Sequence, residues 1–88
     1  MNWTIHLSME AIRQLESLPK NYQKLIGNAL DRMSLNPFRG NIKALKGKEW
    51  QGRYRKAVGR HRIIFKVSYE QKLIEVSQIL IRTEKTYR

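Results

Sequence analysis

Cysteine is absent from this chain, and acidic residues are scarce. Its 88 residues include no Cys, two Pro and only 7 Asp+Glu, against 18 Lys+Arg. The lack of cysteine excludes disulfide frameworks, thiolate metal sites and cysteine nucleophiles. No apolar run approaches the roughly 18 residues that a membrane-spanning helix needs, and the N-terminus lacks the pattern of a signal peptide. We therefore expect a soluble cytoplasmic protein with no membrane partner.

Apolar content is sufficient for one folded domain. Hydrophobic residues make up 41% of the sequence, which suits a small core and is too much for a disordered basic tail. A chain of this length buries a single core, so we expect one domain over residues 1–88. There is no room for a cofactor domain beside a substrate domain.

The excess of positive charge is the strongest compositional signal. The formal net charge is +11, and so large an excess indicates an anionic partner, because self-repulsion otherwise only destabilises the compact state. On charge alone, nucleic acid, an acidic protein and an anionic membrane surface would all qualify. Fourteen of the cations but only four of the acidic residues lie after position 35. The partner is therefore expected to contact the second half of the chain.

Hydrophobic spacing predicts a strand followed by two helices. Apolar residues alternate around Ile5, and Ser8 is a typical N-cap for a helix that starts after it. Pro19 cannot lie in a helix interior, so it marks the break before a second helix. Because the break is short, we expect the two helices to form an antiparallel hairpin. The second helix has a continuous apolar stripe, formed by Tyr22, Leu25, Ile26, Ala29, Leu30 and Met33.

Beyond residue 51 the apolar spacing changes to two, which predicts strands at 52–58, 60–67 and 73–80. Gly59–Arg60 suits a two-residue hairpin turn with glycine in its first central position. The expected fold class is α+β, with an N-terminal strand, the helical hairpin and a three-strand antiparallel meander. The first strand is expected beside the last, in one four-stranded antiparallel sheet with both helices on one face.

A turn at Gly59–Arg60 aligns cations on one face of this sheet. It pairs Arg53 with Lys66 and places Arg55 and Arg62 on the same side; we call these four residues the cationic face. The other side is apolar, with Lys56 and His61 near its edge. A merely solvated face is the alternative, but like charges opposed across strands are destabilising. Arginine also offers bidentate donors, so we favour a phosphate or carboxylate site.

Several short motifs, in this order and spacing, resemble the RelE/ParE toxin superfamily of toxin–antitoxin pairs. They are Leu45-Lys46-Gly47, Arg53-Tyr54-Arg55, Gly59-Arg60-His61-Arg62-Ile63-Ile64-Phe65, Ile81-Arg82 and Tyr87. The resemblance covers essentially the whole chain. It implies one of two activities. RelE-like members are ribosome-dependent endoribonucleases that cut mRNA without a metal, whereas ParE-like members poison DNA gyrase.

The RelE-like branch is favoured, and the resemblance implies roles for individual residues. Arg53 and Arg55 would act on the attacking 2′-hydroxyl and the phosphate, and Arg62 would steady the developing phosphate charge. Arg82 would assist the leaving 5′-oxygen, and Tyr87 would stack on or orient a base. Further RNA contacts are expected from Lys46, Lys48, Lys56, Arg60, Lys66, Lys85 and Arg88. The implied partners are mRNA in the A site of the 70S ribosome and a cognate antitoxin. An acidic or amphipathic segment of the antitoxin would wrap the basic sheet or displace the C-terminal tail. The resemblance implies no cofactor and no metal.

The general base is open, because the best-known pattern has lysines where this chain has Arg53 and Arg55, and arginine does not release its proton in proteins. The candidates are Lys48, Lys56, Lys66, His61 and Glu49, although strand parity puts His61 on the core-facing side, as a packed or edge residue. Arg82 raises a second question. Alternation puts it on the helix-facing side with Ile74, Val76, Gln78 and Leu80, so it reaches the cationic face only if the strand bulges or ends near Leu80.

Two other functions fit the same sequence. A gyrase-directed toxin shares the fold and acts by protein binding, and the missing lysines leave room for it. A plain RNA- or DNA-binding module would bind in a salt-dependent way without toxicity or cleavage. The sequence has no RRM-type aromatic signature and no zinc spacing that would support this module.

Overall fold

The computed structural model describes residues 3–40, 42–48 and 51–81. In chain order, the elements are β1 (Thr4–Leu7), α1 (Met9–Glu16), α2 (Lys20–Leu35), β2 (Ile42–Ala44), β3 (Arg53–Val58), β4 (His61–Ser68) and β5 (Leu73–Ile81). Within these ranges, no helix has the length and apolar character needed to cross a bilayer.

The strands form one five-stranded mixed sheet in the order β1-β5-β4-β3-β2. The α+β class, the antiparallel meander and the position of the first strand beside the last are confirmed. The expected four-stranded antiparallel sheet is wrong, because β1 runs parallel to β5. Strands joined by tight turns must alternate in direction. The two helices between β1 and the rest of the sheet remove that constraint.

Strand β2 is the element that the sequence did not predict. It has three residues and pairs antiparallel with β3, with Ile42 opposite Lys56 and Ala44 opposite Tyr54. A segment this short gives no measurable alternation, so its pairing comes from the tertiary structure and not from a local pattern.

The hydrophobic core lies between α2 and one face of the sheet. The predicted apolar stripe of α2 is confirmed, since Ile26, Ala29, Leu30 and Met33 are buried. They pack with Ala11 of α1 and with residues of strands β4 and β5, namely Ile63, Phe65, Ile74, Val76 and Ile79. Pro19 lies at the N-cap of α2, as expected from its inability to continue a helix.

Helix α1 covers the part of β5 that β1 does not reach. β1 pairs with β5 as far as Val76. Beyond it, the Ile79 amide donates a hydrogen bond of 2.6 Å to the Gln14 side-chain oxygen, and Gln78 donates one of 3.0 Å to Glu10. A helix therefore satisfies backbone and side-chain groups that an uncovered strand edge would expose.

Ser8 joins α1 to β5 and confirms the predicted N-cap. Its Oγ accepts a hydrogen bond of 3.0 Å from the Ala11 amide and donates one of 2.8 Å to the Ser77 carbonyl. We expect Ser8→Ala to lower the free energy of unfolding by about 2 kcal/mol, at the upper end for a lost cap, because both bonds disappear. Urea denaturation measures this. The control is Ser17→Ala, which removes one exposed bond to Gln14; an equal loss in both variants would contradict the expectation.

A β-bulge at Ser77 changes which side chains of β5 face the helices. Phe65 pairs with Val76 and Ile64 pairs with Gln78, which leaves Ser77 as the extra residue. The expectation that Gln78 and Leu80 face the helices is therefore wrong. They share the outer face with Arg62 and Ile64, while Ile79 packs in the core. One inserted residue reverses the parity of all residues that follow it.

Candidate nucleic-acid interface

The predicted register of the β3–β4 hairpin is confirmed residue by residue. Arg53 pairs with Lys66, Arg55 with Ile64 and Val58 with His61. Gly59 has a φ of +60°, the left-handed conformation that a hairpin turn needs in its first central position and that glycine adopts without strain. Because residues paired across strands point to the same side, the four side chains of the cationic face lie together on the outer face of the sheet.

Arg55 lies at the centre of the cationic face. Arg53 is two residues along the same strand, and Arg62 and Lys66 flank Ile64, which pairs directly with Arg55. Diagonal neighbours of this kind are about 7–8 Å apart, within reach of long side chains. The three arginines are half-buried, whereas Lys66 is exposed. Three guanidinium groups can therefore converge on one small anion.

Strand β2 adds a cation to this arrangement. Lys43 pairs with Arg55, so it lies on the outer face and on the opposite side of Arg55 from β4. The side chain is exposed. In the sequence, Lys43 is recognisable only as a cation between the apolar residues Ile42 and Ala44. This alternation indicates a face of the sheet only once β2 is known to be a strand.

Ile64 provides an apolar floor beneath the cations. It is 4% exposed, yet it lies on the outer face and does not belong to the core cluster between helices and sheet. Its cross-strand neighbours are Arg55 and Gln78. Low dielectric strengthens the attraction between an arginine and an anion. A phosphate bound above Ile64 would therefore be held more strongly than one on a fully solvated face.

One row of the outer face contains both acidic and basic groups. It runs from Arg53 through Lys66 and Glu75 to His6. Glu75 pairs with Lys66, so one carboxylate lies directly beside the cationic face. His6 was not among the predicted site residues. With β1 paired parallel to β5, His6 lies on this face beside Glu75, about 10 Å from β4 by the spacing of two strands.

The other predicted RNA contacts are scattered. Lys46 and Lys48 are exposed in the segment after β2, and Arg60 is exposed in the hairpin turn. Lys56 faces the helices and is not part of the cationic face. Arg82, Lys85, Tyr87 and Arg88 lie outside the described residues. The strand that precedes Arg82 contains a bulge at Ser77, three residues before Leu80, where the sequence argument required a bulge or a strand end.

Lys56 is buried and repelled by other cations. It is 9% exposed, and its Nζ donates a hydrogen bond of 2.9 Å to the Arg39 carbonyl. Burial, and then the positive charges of Arg32 and Arg39, lower its pKa from the ordinary value of a lysine. The free energy of charging this lysine is therefore higher in the folded than in the unfolded chain.

This lowered pKa predicts a specific pH dependence of stability. Between the pKa of Lys56 in the folded protein and the ordinary value of 10.5, the unfolded chain binds more protons at this position than the folded chain does. Stability therefore increases with pH through this interval. Chemical denaturation from pH 7 upward is expected to show the wild type gaining stability relative to Lys56→Met, in which this titration is absent. A constant difference between the two chains across that range would contradict the shift.

His61 is a packed residue, as strand parity predicted. It is 1% exposed, and its ring centroid lies 4.9 Å from that of Tyr22 on α2. In the described part of the chain, neither ring nitrogen has a hydrogen-bond partner. His61 and Lys56 face the helices, so neither can reach a phosphate above Ile64.

The remaining base candidates differ in position. Lys66 lies on the cationic face opposite Arg53, Lys48 lies in the segment after β2, and Glu49 is outside the described residues. Among the base candidates that the structure describes, Lys66 is therefore the one that the strand pairing places nearest to Arg55.

Comparison with known proteins agrees with the fold and identifies the family. The family model for the ParE toxin of type II toxin–antitoxin systems matches residues 5–86. The chain belongs to this family and is thus a toxin of a toxin–antitoxin system. The resemblance to the RelE/ParE superfamily is confirmed. No curated protein matches the sequence.

Solved structures with the same fold include toxins named for both branches. The RelBE2 toxin–antitoxin complex from Mycobacterium tuberculosis is 20% identical, with a TM-score of 0.80 over 93% of this chain and 100% of the other. The RelE–RelB complex from Pyrococcus horikoshii is 21% identical, with a TM-score of 0.79 over 96% and 99%. The YoeB/ParE toxin from Agrobacterium tumefaciens is 19% identical, with a TM-score of 0.77 over 91% and 99%. At these identities the likeness concerns the fold alone.

Proposed function

We propose that this toxin is an endoribonuclease that cleaves mRNA on the translating ribosome, with the cationic face as its active site. The observation that carries the proposal is the strand register, which places Arg53, Arg55 and Arg62 on one face of the sheet around the buried Ile64. Five guanidinium N–H donors on each arginine, arranged in a rigid fork, match the oxygens of a phosphodiester. On a sheet face that is only solvated, clustered like charges would be destabilising.

The proposed reaction is attack of the RNA 2′-hydroxyl on the adjacent phosphorus. The hydroxyl proton passes to a base, the bond from phosphorus to the 5′-oxygen breaks, and the leaving oxygen takes a proton. The products are a 2′,3′-cyclic phosphate and a 5′-hydroxyl. Negative charge grows on the phosphate oxygens in the transition state. Arginines fixed on paired strands stabilise it without having to reorganise.

Roles for the individual residues follow the resemblance. Arg53 and Arg55 bind the attacking hydroxyl and the phosphate, and Arg62 stabilises the charge that develops there. Arg82 and Tyr87 are proposed to act on the leaving oxygen and on a base. Lys66 is the preferred proton acceptor, because it lies on the cationic face next to Arg53.

The proposed partners are a cognate antitoxin, mRNA and the ribosomal A site. Several structural neighbours were solved as complexes of a toxin with its antitoxin, and the net charge of +11 suits an acidic or amphipathic partner segment. The antitoxin is proposed to cover the cationic face and so prevent RNA binding.

Cleavage can be tested in a translating lysate. Addition of the toxin is expected to produce new mRNA fragments with 5′-hydroxyl ends within codons, and puromycin-released or ribosome-free mRNA is expected to remain intact. Addition of the antitoxin should prevent cleavage. Intact mRNA in the presence of active ribosomes and folded toxin would refute the proposal.

The second candidate is a gyrase-directed toxin. The matching family model carries the name ParE, and Arg53 and Arg55 stand where the ribonuclease pattern has residues that can exchange a proton. Both observations favour this branch. Inhibition of DNA supercoiling by purified gyrase, with mRNA intact in the lysate, would select it. Salt-dependent nucleic-acid binding without either activity would instead indicate a binding module.

A further inference from the structure

One row of side chains on the outer face changes from basic at one end to acidic at the other. It crosses the sheet from β2 to β5 through directly paired residues, namely Lys43, Arg55, Ile64 and Gln78. Beyond β5, the side chain of Glu10 in the first turn of α1 meets Gln78 and ends the row. The groups are, in order, two cations, an apolar side chain, an amide and a carboxylate. We call these five residues the graded row.

The bulge at Ser77 is what brings Gln78 into the graded row. Without the extra residue, alternation from the buried Val76 would put Gln78 on the helix-facing side. With it, Gln78 pairs with Ile64 and shares the outer face. Bulges are frequent beside functional sites, where they re-aim one side chain. Here the re-aimed amide lies directly across the apolar floor from Arg55.

The orientation of the Gln78 amide is determined by Glu10. The Nε2 of Gln78 donates a hydrogen bond of 3.0 Å to Oε1 of Glu10. An ionised carboxylate only accepts hydrogen bonds, so the amide nitrogen, and not its oxygen, must face α1. A side-chain amide has two N–H donors and one acceptor oxygen, and the bond to Glu10 uses one donor. Gln78 therefore has a donor and an acceptor in a fixed order.

A nucleotide has the same order of groups as the graded row. Its phosphate is anionic, and its base is uncharged with donors and acceptors along the edges. Arg55 and Gln78 are separated by two strand spacings, about 10 Å. A nucleotide with its phosphate over Arg55 would extend its base across Ile64 toward Gln78. The carboxylate of Glu10 repels a phosphate at that end, so the charges of the row also set the direction of the nucleotide.

Adenine is the base whose edge matches a side-chain amide. Its N6 amino group donates and its N7 accepts, so glutamine or asparagine can bind both atoms at once. Guanine has the two acceptors O6 and N7 at the corresponding places, which would set the amide oxygen of Gln78 against O6. Because Glu10 holds the amide nitrogen, the amide cannot turn over freely to avoid this contact.

We propose that Gln78 recognises an adenine base, and that Glu10 is the positioning residue that orients its amide. The nucleotide lies along the graded row, with its phosphate at Arg55 and its base at Gln78. That this nucleotide belongs to an mRNA cleaved by the toxin rests on the proposed function.

The test compares two short RNA probes that differ in one group of one base. The first is a uridine oligonucleotide with a single adenosine, and the second has inosine there, with an oxygen in place of the amino group. Both carry 2′-O-methyl groups, which prevent attack by the 2′-oxygen. At low salt the net charge of +11 favours binding of either backbone, so the ratio of the two dissociation constants reports the base contact. The wild type is expected to bind the adenosine probe about 5–150-fold more tightly, as one bidentate contact does.

Three variants assign this ratio to the amide. Gln78→Met removes the amide but keeps the side-chain length, and it is expected to bind the two probes equally. Gln71→Met, the same change in the exposed turn between β4 and β5, should keep the wild-type ratio. Glu10→Gln lets the Gln78 amide turn over and should give an intermediate ratio. Because Glu10 is exposed, this variant also serves if Gln78→Met does not fold. A purely structural contact between α1 and β5 would change stability and leave the ratio unaltered.

Any one of four results would overturn the inference. They are equal binding of the two probes by the wild type, a wild-type ratio in Gln78→Met, a wild-type ratio in Glu10→Gln, and the same loss of the ratio in Gln71→Met as in Gln78→Met. None of these measurements depends on mRNA cleavage. A failed cleavage assay with the expected ratios would refute the proposed function and leave adenine recognition in place. Cleavage by a toxin that binds both probes equally would refute this inference alone.

Discussion

Arg62→Ala is expected to lower the rate of mRNA cleavage by about 10²–10³-fold, the usual loss when one preorganised donor to a developing oxyanion is removed. Arg62 lies diagonally across the hairpin from Arg55, which places it within reach of a phosphate that Arg55 is proposed to bind. The loss should appear in single-turnover cleavage on programmed ribosomes. Growth arrest on expression should be relieved in parallel.

Arg62→Lys separates charge from geometry. Lysine keeps the positive charge but lacks the planar fork that binds two oxygens at once. We expect it to recover part of the rate that alanine loses. Full recovery would show that charge alone is required at this position.

The matched control is Arg13→Ala, which removes one positive charge from the exposed last turn of α1. Cleavage by this variant is expected to stay close to that of the wild type. If both variants lost activity equally, the effect would belong to overall charge and not to the cationic face. If Arg62→Ala arrested growth as strongly as the wild type while gyrase was inhibited, the second candidate function would be correct.

The cationic face was predictable because a single turn determines it. Gly59 and Arg60 fix the hairpin, and the register then assigns every residue of β3 and β4 to a face, with Arg55 opposite Ile64. Lys56 shows that positive charge alone does not suffice to predict an RNA contact. Its positive charge suggested an RNA contact, whereas its strand parity already placed it on the helix-facing side.

Features that depend on long-range pairing were not predictable. β1 is parallel to β5, and this placed His6 on the outer face. The bulge at Ser77 has a trace in the sequence, since the apolar positions shift from even at Ile74 to odd at Ile79, but the apolar Leu80 conceals this shift. Short-range periodicity cannot distinguish such a bulge from a strand that is apolar on both faces.

Phe65→Ala is expected to lower the free energy of unfolding by about 3–5 kcal/mol, as for other aromatic residues removed from a core. Phe65 is fully buried. It lies in the row that crosses the whole sheet, with Tyr54 on one side and Val76 on the other. Its ring centroid is 5.8 Å from that of Tyr54 and 6.5 Å from that of Phe38. Removal of the ring leaves a cavity that these neighbours cannot fill without moving.

Urea denaturation monitored by circular dichroism measures the loss, and Phe65→Leu is the control. Leucine retains much of the apolar volume, so its cost is expected to be clearly smaller than that of alanine. A cost below about 2 kcal/mol for Phe65→Ala, less than the usual range for such a change, would show that the core closes around the missing ring.

The two substitutions act on opposite sides of the same strand. Ile64 and Lys66 flank Phe65 in sequence and lie on the outer face, so the packing of this ring also sets the position of the residues around Arg55. Phe65→Leu is therefore expected to retain cleavage with modest loss of stability, whereas Arg62→Ala should lose cleavage with little change in stability. If Phe65→Leu and Arg62→Ala each lost both cleavage and stability, the structure of the cationic face would depend on the packing of the core. Its arginines could then not be tested one at a time.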